Sequence, residues 1–289
     1  MIRLSAFADE ISPSPDEQAA VLAREGIRYL DLRSMWDINV LDLSDEQIRS
    51  IQDTLQANHI QVAALGSPIG KVPIDSPFEA ELQRLERATT IAHAFNTPYI
   101  RIFSYYPPSA TSQAGSDSND PAAYRGEVKR RMRALIERAR EAGITLLHEN
   151  EKDIYGDTIA RCVDLMHELS DMQGGNKHLQ LAFDPANFIQ CGQTPFPDAY
   201  EALQPWLAYV HVKDALPNGR VVAAGEGNAR WPELLERLRA DGYDGFFSLE
   251  PHLSATGQFG GFTGPDLFHH AAQAFQTLLN KMRWPYHTD

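Results

Sequence analysis

Four segments of this 289-residue chain each bring an apolar run to a residue able to bind a metal. "LLHENE" reaches Glu149, "LQLAFDP" reaches Asp184, "YVHVKD" carries His211 and "FFSLEPH" reaches Glu250. Taken singly, each has an ordinary explanation; Asp184 before Pro185, for instance, is a common way to open a turn. Taken together, they are one ligand-type side chain at the same relative place in four successive strands. Side-chain alternation supports a shared destination. Leu179, Leu181 and Phe183 oppose Ala182 and Asp184, Val210 and Val212 oppose Tyr209, His211 and Lys213, and Phe247 and Leu249 oppose Ser248 and Glu250. Glu149 shares its face with Leu147 and Thr145, a weaker pattern compatible with the same arrangement. Three carboxylates gathered in a low-dielectric mouth repel one another unless a cation or protons relieve them. One divalent metal ion supplies that charge, and His211 completes a Glu–Asp–His–Glu set. Ligands this rich in oxygen suit Mn2+ or Mg2+, with Co2+, Fe2+ and Zn2+ as alternatives.

These residues need elements that carry them to one place. The chain alternates short β-rich runs with longer helical stretches. Strands are expected over 4–8, 28–33, 61–65, 99–103, 145–149, 179–184, 209–213 and 245–250. Helices are expected over 16–24, 45–58, 78–95, 122–142, 157–169, 197–203, 231–241 and 266–281, where apolar residues recur at three- and four-residue spacing. Ser44, with Gln47 three residues on, predicts a capped helix start. Gly26, Gly143 and Gly242 stand at helix exits. Eight strand–helix pairs in series imply a parallel sheet with right-handed crossovers, and eight is the number that closes into a (β/α)8 TIM barrel. The expectation is therefore an α/β barrel of one domain over residues 1–289. An open doubly wound sheet would favour a glycine-rich dinucleotide fingerprint after the first strand, and "FADEISPSPDE" has none. Barrel active sites gather at the carboxyl ends of the strands, where all four ligand-type residues fall. The low-complexity stretch 105–121 follows strand four and reads as a mobile loop on that rim.

Composition narrows the class of function. With 43% hydrophobic residues the chain can bury a large core, and no apolar run approaches the ~18 residues of a membrane span. A formal charge of −13 opposes long-range attraction to nucleic acid. Cys162 and Cys191 lie far apart in sequence and form no metal or redox motif, and the start lacks a basic-then-apolar leader. A cytoplasmic location is expected.

Other residues near strand ends invite two readings each. Lys213, one layer above His211, would bind a substrate carboxylate, phosphate or oxyanion, or else neutralise nearby acids. His252 continues the phase of Glu250 and would reach substrate or cap its loop. Arg101 needs a partner if buried: a substrate group, or an acid such as Asp31, which lies with Arg33 on the polar face of strand two. Lys71 in "SPIGK" and Lys152 in "ENEK" are placed to meet an anionic substrate, though solvated lysines are common there. His148 faces outward beside Glu149, where a satisfied structural role is expected. Glu226 in "GEG" reads first as a turn residue and only second as a catalytic one. The glycine-rich segment 254–266 lies where barrel phosphate sites are often built. Trp36, Phe103, Tyr105 and Tyr106 would wall the pocket or pack the loops.

The chain resembles the xylose isomerase-like barrel superfamily, and within it the sugar phosphate isomerase/epimerase proteins. The resemblance is carried by "FADEI" (7–11), "SPIGK" (67–71), "HENE" (148–151), "FDPANF" (183–188), "HVKD" (211–214), "GEG" (225–227) and "LEPH" (249–252). That group includes ketose 3-epimerases and, more distantly, hydroxypyruvate isomerases, inosose dehydratases and endonuclease IV. It implies that Glu149, Asp184, His211 and Glu250 bind one catalytic divalent metal. On this resemblance Glu149 and Glu250 act as base and acid on a small sugar, sugar acid or polyol ketone, through an enediolate that the metal stabilises. Asn187 stands where the ketose epimerases usually carry a substrate-holding histidine, so ketohexose specificity does not carry over. Asn187, Lys213, His252, Arg101 and Lys71 are the substrate-binding candidates. Two other readings compete: a metal-dependent dehydratase of a keto-polyol, and a non-catalytic sugar-binding barrel. The expected partner is a small sugar-type molecule, with no nucleic acid and no membrane. Relatives are often homo-oligomers, and no stretch of this chain marks an interface.

Overall fold

Alternating apolar and polar residues form eight parallel strands: β1 (Ile2–Ala6), β2 (Tyr29–Leu32), β3 (Gln61–Leu65), β4 (Tyr99–Ile102), β5 (Thr145–Glu149), β6 (Leu179–Phe183), β7 (Leu207–Val212) and β8 (Phe246–Leu249). The computed structural model describes residues 1–108, 120–170, 178–254 and 262–287. Neighbouring strands pair in chain order, and β8 returns to β1 with Phe247 opposite Leu4. That last pairing closes the barrel, so the expected (β/α)8 architecture is the one found. The helices α1 (Pro15–Arg24), α2 (Asp45–Ala57), α3 (Phe78–Ala94), α4 (Pro121–Glu141) and α5 (Ile159–Ser170) occupy the crossovers up to β6. After β6 come the short α6 (Pro185–Gln190) and α7 (Tyr200–Leu203), then α8 (Trp231–Ala240) and α9 (Pro265–Lys281). Ser44 and Gln47 form the expected reciprocal cap on α2. Among the described residues no helix is long and apolar enough to cross a membrane.

Three departures from expectation bear on the site. The first strand begins and ends two residues earlier than expected, and Ala8–Glu10 wind into a single tight turn that lifts Asp9 and Glu10 onto the rim. The helix expected over 197–203 is broken. Pro197 lacks an N–H and holds Phe196 extended (φ −134°, ψ 130°), so only Tyr200–Leu203 coils regularly. Small hairpins also stand on the rim after β2 (Ser34–Met35 with Ile38–Asn39) and after β7 (Asp214–Ala215 with Val221–Val222). Of the loop expected over 105–121, residues 109–119 lie outside the described residues, as do 255–261 of the glycine-rich segment.

The two faces of each strand separate as the alternation requires. Leu179, Leu181, Phe183, Val210, Val212, Phe247 and Leu249 join the outer core beneath the helices. Ala63, Ala64, Leu147, Ala182, Tyr209 and Phe246 fill the barrel floor. Above that floor lies a polar layer in which Asp31 accepts hydrogen bonds from Tyr209 Oη (2.6 Å) and Ser248 Oγ (2.5 Å). The ligand-type residues sit one layer higher still.

The loop after β3 is bound to the end of β4. Phe103 N donates to Ile69 O at 2.8 Å, Tyr105 N to Gly70 O at 2.9 Å, and Gly70 N to Glu81 Oε2 at 2.6 Å. Gly70 has φ +83°, and a Cβ there would lie 2.1 Å from Phe103 O. Gly70→Ala should therefore lower the unfolding free energy by roughly 2–5 kcal/mol, from the left-handed backbone plus overpacking. Urea denaturation measures this, and an unchanged midpoint would contradict the close approach.

Candidate metal centre

Strand ends deliver the four residues singled out by the sequence to one spot. Glu149 closes β5, Asp184 follows β6, His211 lies in β7 and Glu250 follows β8. One ligand atom from each falls within 4.8 Å of all the others. Each residue is no more than 2% exposed. Asp184 resolves the two readings of its own sequence. It caps α6 by accepting from Asn187 N at 2.9 Å through Oδ1, and it turns Oδ2 toward the cluster, 2.7 Å from Lys213 Nζ. Pro185 at the first helical position makes this turn compatible with the cap.

The donor chemistry fits a divalent ion. Three carboxylates and an imidazole form an oxygen-rich set. Asp184 Oδ2 and His211 Nδ1 are both fully buried and are held within the cluster by charge contacts, Oδ2 to Lys213 Nζ at 2.7 Å and Nδ1 to Glu149 Oε1 at 3.1 Å.

Cations surround the ring. Arg101 Nη1 lies 3.0 Å from Glu149 Oε2 and 3.5 Å from Glu250 Oε1. Lys213 Nζ lies 3.1 Å from Glu250 Oε2, and Arg33 Nη1 is 3.0 Å from Glu250 Oε1. Arg33 and Arg101 each place their guanidinium 4.8 Å from the centre of the Phe7 ring. Burial alone would push the Glu149 carboxyl up, but His211 and Arg101 outweigh it and hold it at about 2. Burial likewise opposes ionisation of Glu250, and Lys213 and His252 carry that carboxyl well below the usual range. Asp184 is pushed up to about 6, chiefly by burial, against the pull of Lys213 and with Glu149 and Glu250 adding to the rise. Burial disfavours a charged His211, yet Glu149 and Glu250 raise it to about 10.

The remaining candidates fall into place unevenly. Asn187 Nδ2 donates to Glu149 Oε1 at 3.2 Å and to Asn150 O at 2.8 Å, so it orients the Glu149 carboxylate. His252 donates its backbone N–H to Glu10 Oε2 at 2.8 Å and holds Nε2 3.5 Å from Glu250 Oε1. Lys71 lies further out, paired with Glu151 at 2.7 Å and stacked over Phe103. Lys152 is exposed. Glu226 points to the surface, where it meets His270 at 3.1 Å. Two expectations need correction. Arg101 does not pair with Asp31, because the hydroxyls of Tyr209 and Ser248 occupy that acid one layer below. His148 faces outward as expected but is not satisfied: both ring nitrogens are buried without partners, and burial lowers its pKa to about 4. It packs as a neutral ring beneath Gly156, where a Cβ would lie 2.6 Å from its Cε1.

Sequence reasoning missed Glu10, Asp9 and Asn150, and it gave Arg33 only a structural part. Glu10 is fully buried, with His252 Nε2 at 3.2 Å and Arg33 Nη2 at 3.8 Å from Oε1. Its signal was available, since "FADEI" ends an apolar strand in acids just as "LAFDP" does.

A sequence profile of the xylose isomerase-like TIM barrel family matches residues 19–277. No curated protein matches the chain in sequence. Among solved structures, the chain is similar to the probable 3-DHS dehydratase AsbF from Bacillus anthracis, at 17% identity over 96% of this chain and 99% of that one, with a TM-score of 0.71. It is similar to 3-keto-D-glucoside 4-epimerase from E. coli at 16% identity, covering 97% of this chain and 100% of that one, with a TM-score of 0.70. A xylose isomerase-like TIM barrel protein from Mycobacterium smegmatis, in complex with magnesium, is 15% identical over 97% of this chain and 96% of that one, with a TM-score of 0.72. At these identities the likeness is one of fold.

Removing Arg33 would leave Asp9 and Glu250 short of a buried counter-charge. Arg33→Met should destabilise the metal-free protein by about 3–5 kcal/mol in urea unfolding. A loss under about 1 kcal/mol, the size of an exposed pair, would show that Arg33 is dispensable to the ring.

Proposed function

We propose that this chain, which belongs to the xylose isomerase-like TIM barrel family, is a divalent-metal-dependent isomerase or epimerase of a small sugar or sugar derivative. The convergence of Glu149, Asp184, His211 and Glu250 on one buried spot carries this reading. These four residues would hold one ion, with Mn2+ or Mg2+ the best match to their oxygens. Bound there, such an ion would act as a Lewis acid on a substrate carbonyl and would stabilise the negative charge that follows proton removal. Glu149 and Glu250 reach the mouth from strands three places apart in the barrel, so one can remove a carbon-bound proton while the other returns it. Substrate stereochemistry sets which acts first. Asn187 and Arg101 orient Glu149, and Arg33 and Lys213 orient Glu250, at the distances given above. Dehydration of a keto-polyol is the second reading. It starts with the same proton removal, and a probable 3-DHS dehydratase is among the proteins that share the fold. The unpaired Cys162 and Cys191 agree with a cytoplasmic setting.

The test is solvent exchange. Mn2+-loaded protein is incubated with a panel of ketoses, aldoses and keto acids in heavy water, and the products are read by mass spectrometry and NMR. An isomer carrying one solvent deuterium is expected, formed at least ~100-fold more slowly by Glu149→Gln and Glu250→Gln. A product lighter by one water would favour the dehydratase. Binding without exchange for any compound would overturn the enzyme reading and leave a sugar-binding barrel.

A further inference from the structure

Asp184 lies just beyond the last residues of β6 that pair with either neighbouring strand, since the ladder ends at Ala182 opposite Glu149 on one side and at Phe183 opposite Val210 on the other. Its backbone is gripped by a side chain instead. Asn150 accepts from Asp184 N through Oδ1 at 2.9 Å and donates from Nδ2 to Asp184 O at 2.9 Å. One amide thus takes the place of a strand for one more residue. Asn187 closes the figure: Nδ2 donates to Asn150 O at 2.8 Å and to Glu149 Oε1 at 3.2 Å, and its backbone N donates to Asp184 Oδ1 at 2.9 Å. With the peptide link between Glu149 and Asn150, these hydrogen bonds form a closed circuit. All four residues in it are at most 2% exposed.

The circuit joins two of the four ligand-type residues through uncharged groups. Asp184 is held by its backbone and by Oδ1, which leaves Oδ2 as the oxygen turned to the cluster. Among side chains this short, asparagine offers an amide donor and a carbonyl acceptor side by side. Aspartate at 150 would set an oxygen lone pair against Asp184 O, and alanine would leave Asp184 N buried without its acceptor. The side-chain bonds of Asn150 go to backbone, none to a carboxylate oxygen.

Resting on the metal-dependent reading above, we propose that Asn150 is a positioning residue for the metal centre. It locks the end of β6 to the end of β5 and so sets the spacing between the Glu149 and Asp184 carboxylates. It acts directly through the Asp184 backbone and, by way of Asn187, on Glu149. Partners that orient metal ligands in this way influence affinity nearly as strongly as the ligands do. Ions also differ in what they tolerate: Mg2+ demands near-ideal ligand placement, whereas Ca2+ accepts irregular geometry. A loosened circuit should therefore weaken Mg2+ more than Ca2+.

The experiment measures Mn2+ binding to the full-length protein by electron paramagnetic resonance of the free ion, with Mg2+ and Ca2+ read by displacement of Mn2+. Asn150→Ala and Asn150→Ser are set beside the parent and Thr97→Val, each checked by circular dichroism and urea unfolding. Thr97 is the control, since it is equally buried and donates Oγ1 to Ala63 O at 2.6 Å ahead of β4, away from the strand ends that carry the ligands. The Mn2+ Kd should rise roughly 10–100-fold in both Asn150 variants. The ratio of Mg2+ to Ca2+ affinity should fall at least about three-fold. Thr97→Val should unfold at lower urea yet bind Mn2+ as the parent does. Unchanged Mn2+ affinity or an unchanged ion ratio in a folded Asn150 variant, or an equal loss in Thr97→Val, would overturn the inference. Asn150→Ser decides the matter if Asn150→Ala does not fold, and failure of both to fold would place Asn150 in the fold rather than the site and overturn it too. A parent that binds none of the ions refutes the metal reading beneath, whereas a parent and Asn150 variants that bind them alike refute the positioning role alone.

Discussion

Asp9, Glu10, Glu149, Asp184 and Glu250 bring five carboxyl groups to one end of one barrel, with side chains at most 6% exposed. Like charges a few ångströms apart in a low dielectric repel strongly, and ordinary folding would keep such groups apart. Here the sheet forces them together, because inward-facing positions at the ends of parallel strands all open on the same mouth. Counter-charges enter by the same route. Arg33 follows β2, Arg101 lies in β4 and Lys213 follows β7, each in inward phase and each touching at least one acid from another strand. The ring is thus held by interleaved charge, with Lys213 on Asp184 at 2.7 Å and His211 on Glu149 at 3.1 Å.

Holding that ring still requires a rigid surround. Below it, Asp31, Tyr209 and Ser248 tie β2, β7 and β8 together across the barrel. Above it, Asp214 accepts backbone N–H groups from Ala215, Gly225, Gly227 and Ala229, at 2.8–3.0 Å, and fixes the long loop that follows Lys213. Among the described residues, five of the nine non-glycine residues with left-handed backbone follow barrel strands, Trp36 and Asp37 after β2, Tyr105 after β4, Asp153 after β5 and His252 after β8, whereas His59, Asn96 and Arg283 stand at helix exits and Arg230 precedes α8. Trp36 and Asp37 form the two-residue turn of the hairpin after β2, a turn that needs left-handed backbone at both positions.

The convergence of Glu149, Asp184, His211 and Glu250 was legible in the sequence because strand alternation has a strict period of two. Once Val210 and Val212 face the helices, His211 must face the barrel, and the same holds for Asp184 and Glu250. Which cation meets which acid was not legible, since that depends on register between strands distant in sequence. Arg101 could as well have met Asp31, until the hydroxyls of Tyr209 and Ser248 are seen to occupy that acid. Glu10 was hidden by a two-residue error in the end of the first strand, which moved it from rim to loop. His148 was placed on the correct face, but its lack of partners follows from packing under Gly156, a contact that no local pattern announces.

The central claim, that Glu149, Asp184, His211 and Glu250 form one divalent-metal site, is tested most directly by metal analysis of the purified protein beside Glu250→Gln. Released metal is quantified by mass spectrometry after exposure to Mn2+, Co2+ and Zn2+ and removal of loose ions. The account predicts roughly one ion per chain in the parent and clear loss in the variant. A parent that retains none of the three ions, or a variant that holds them equally well, would contradict it.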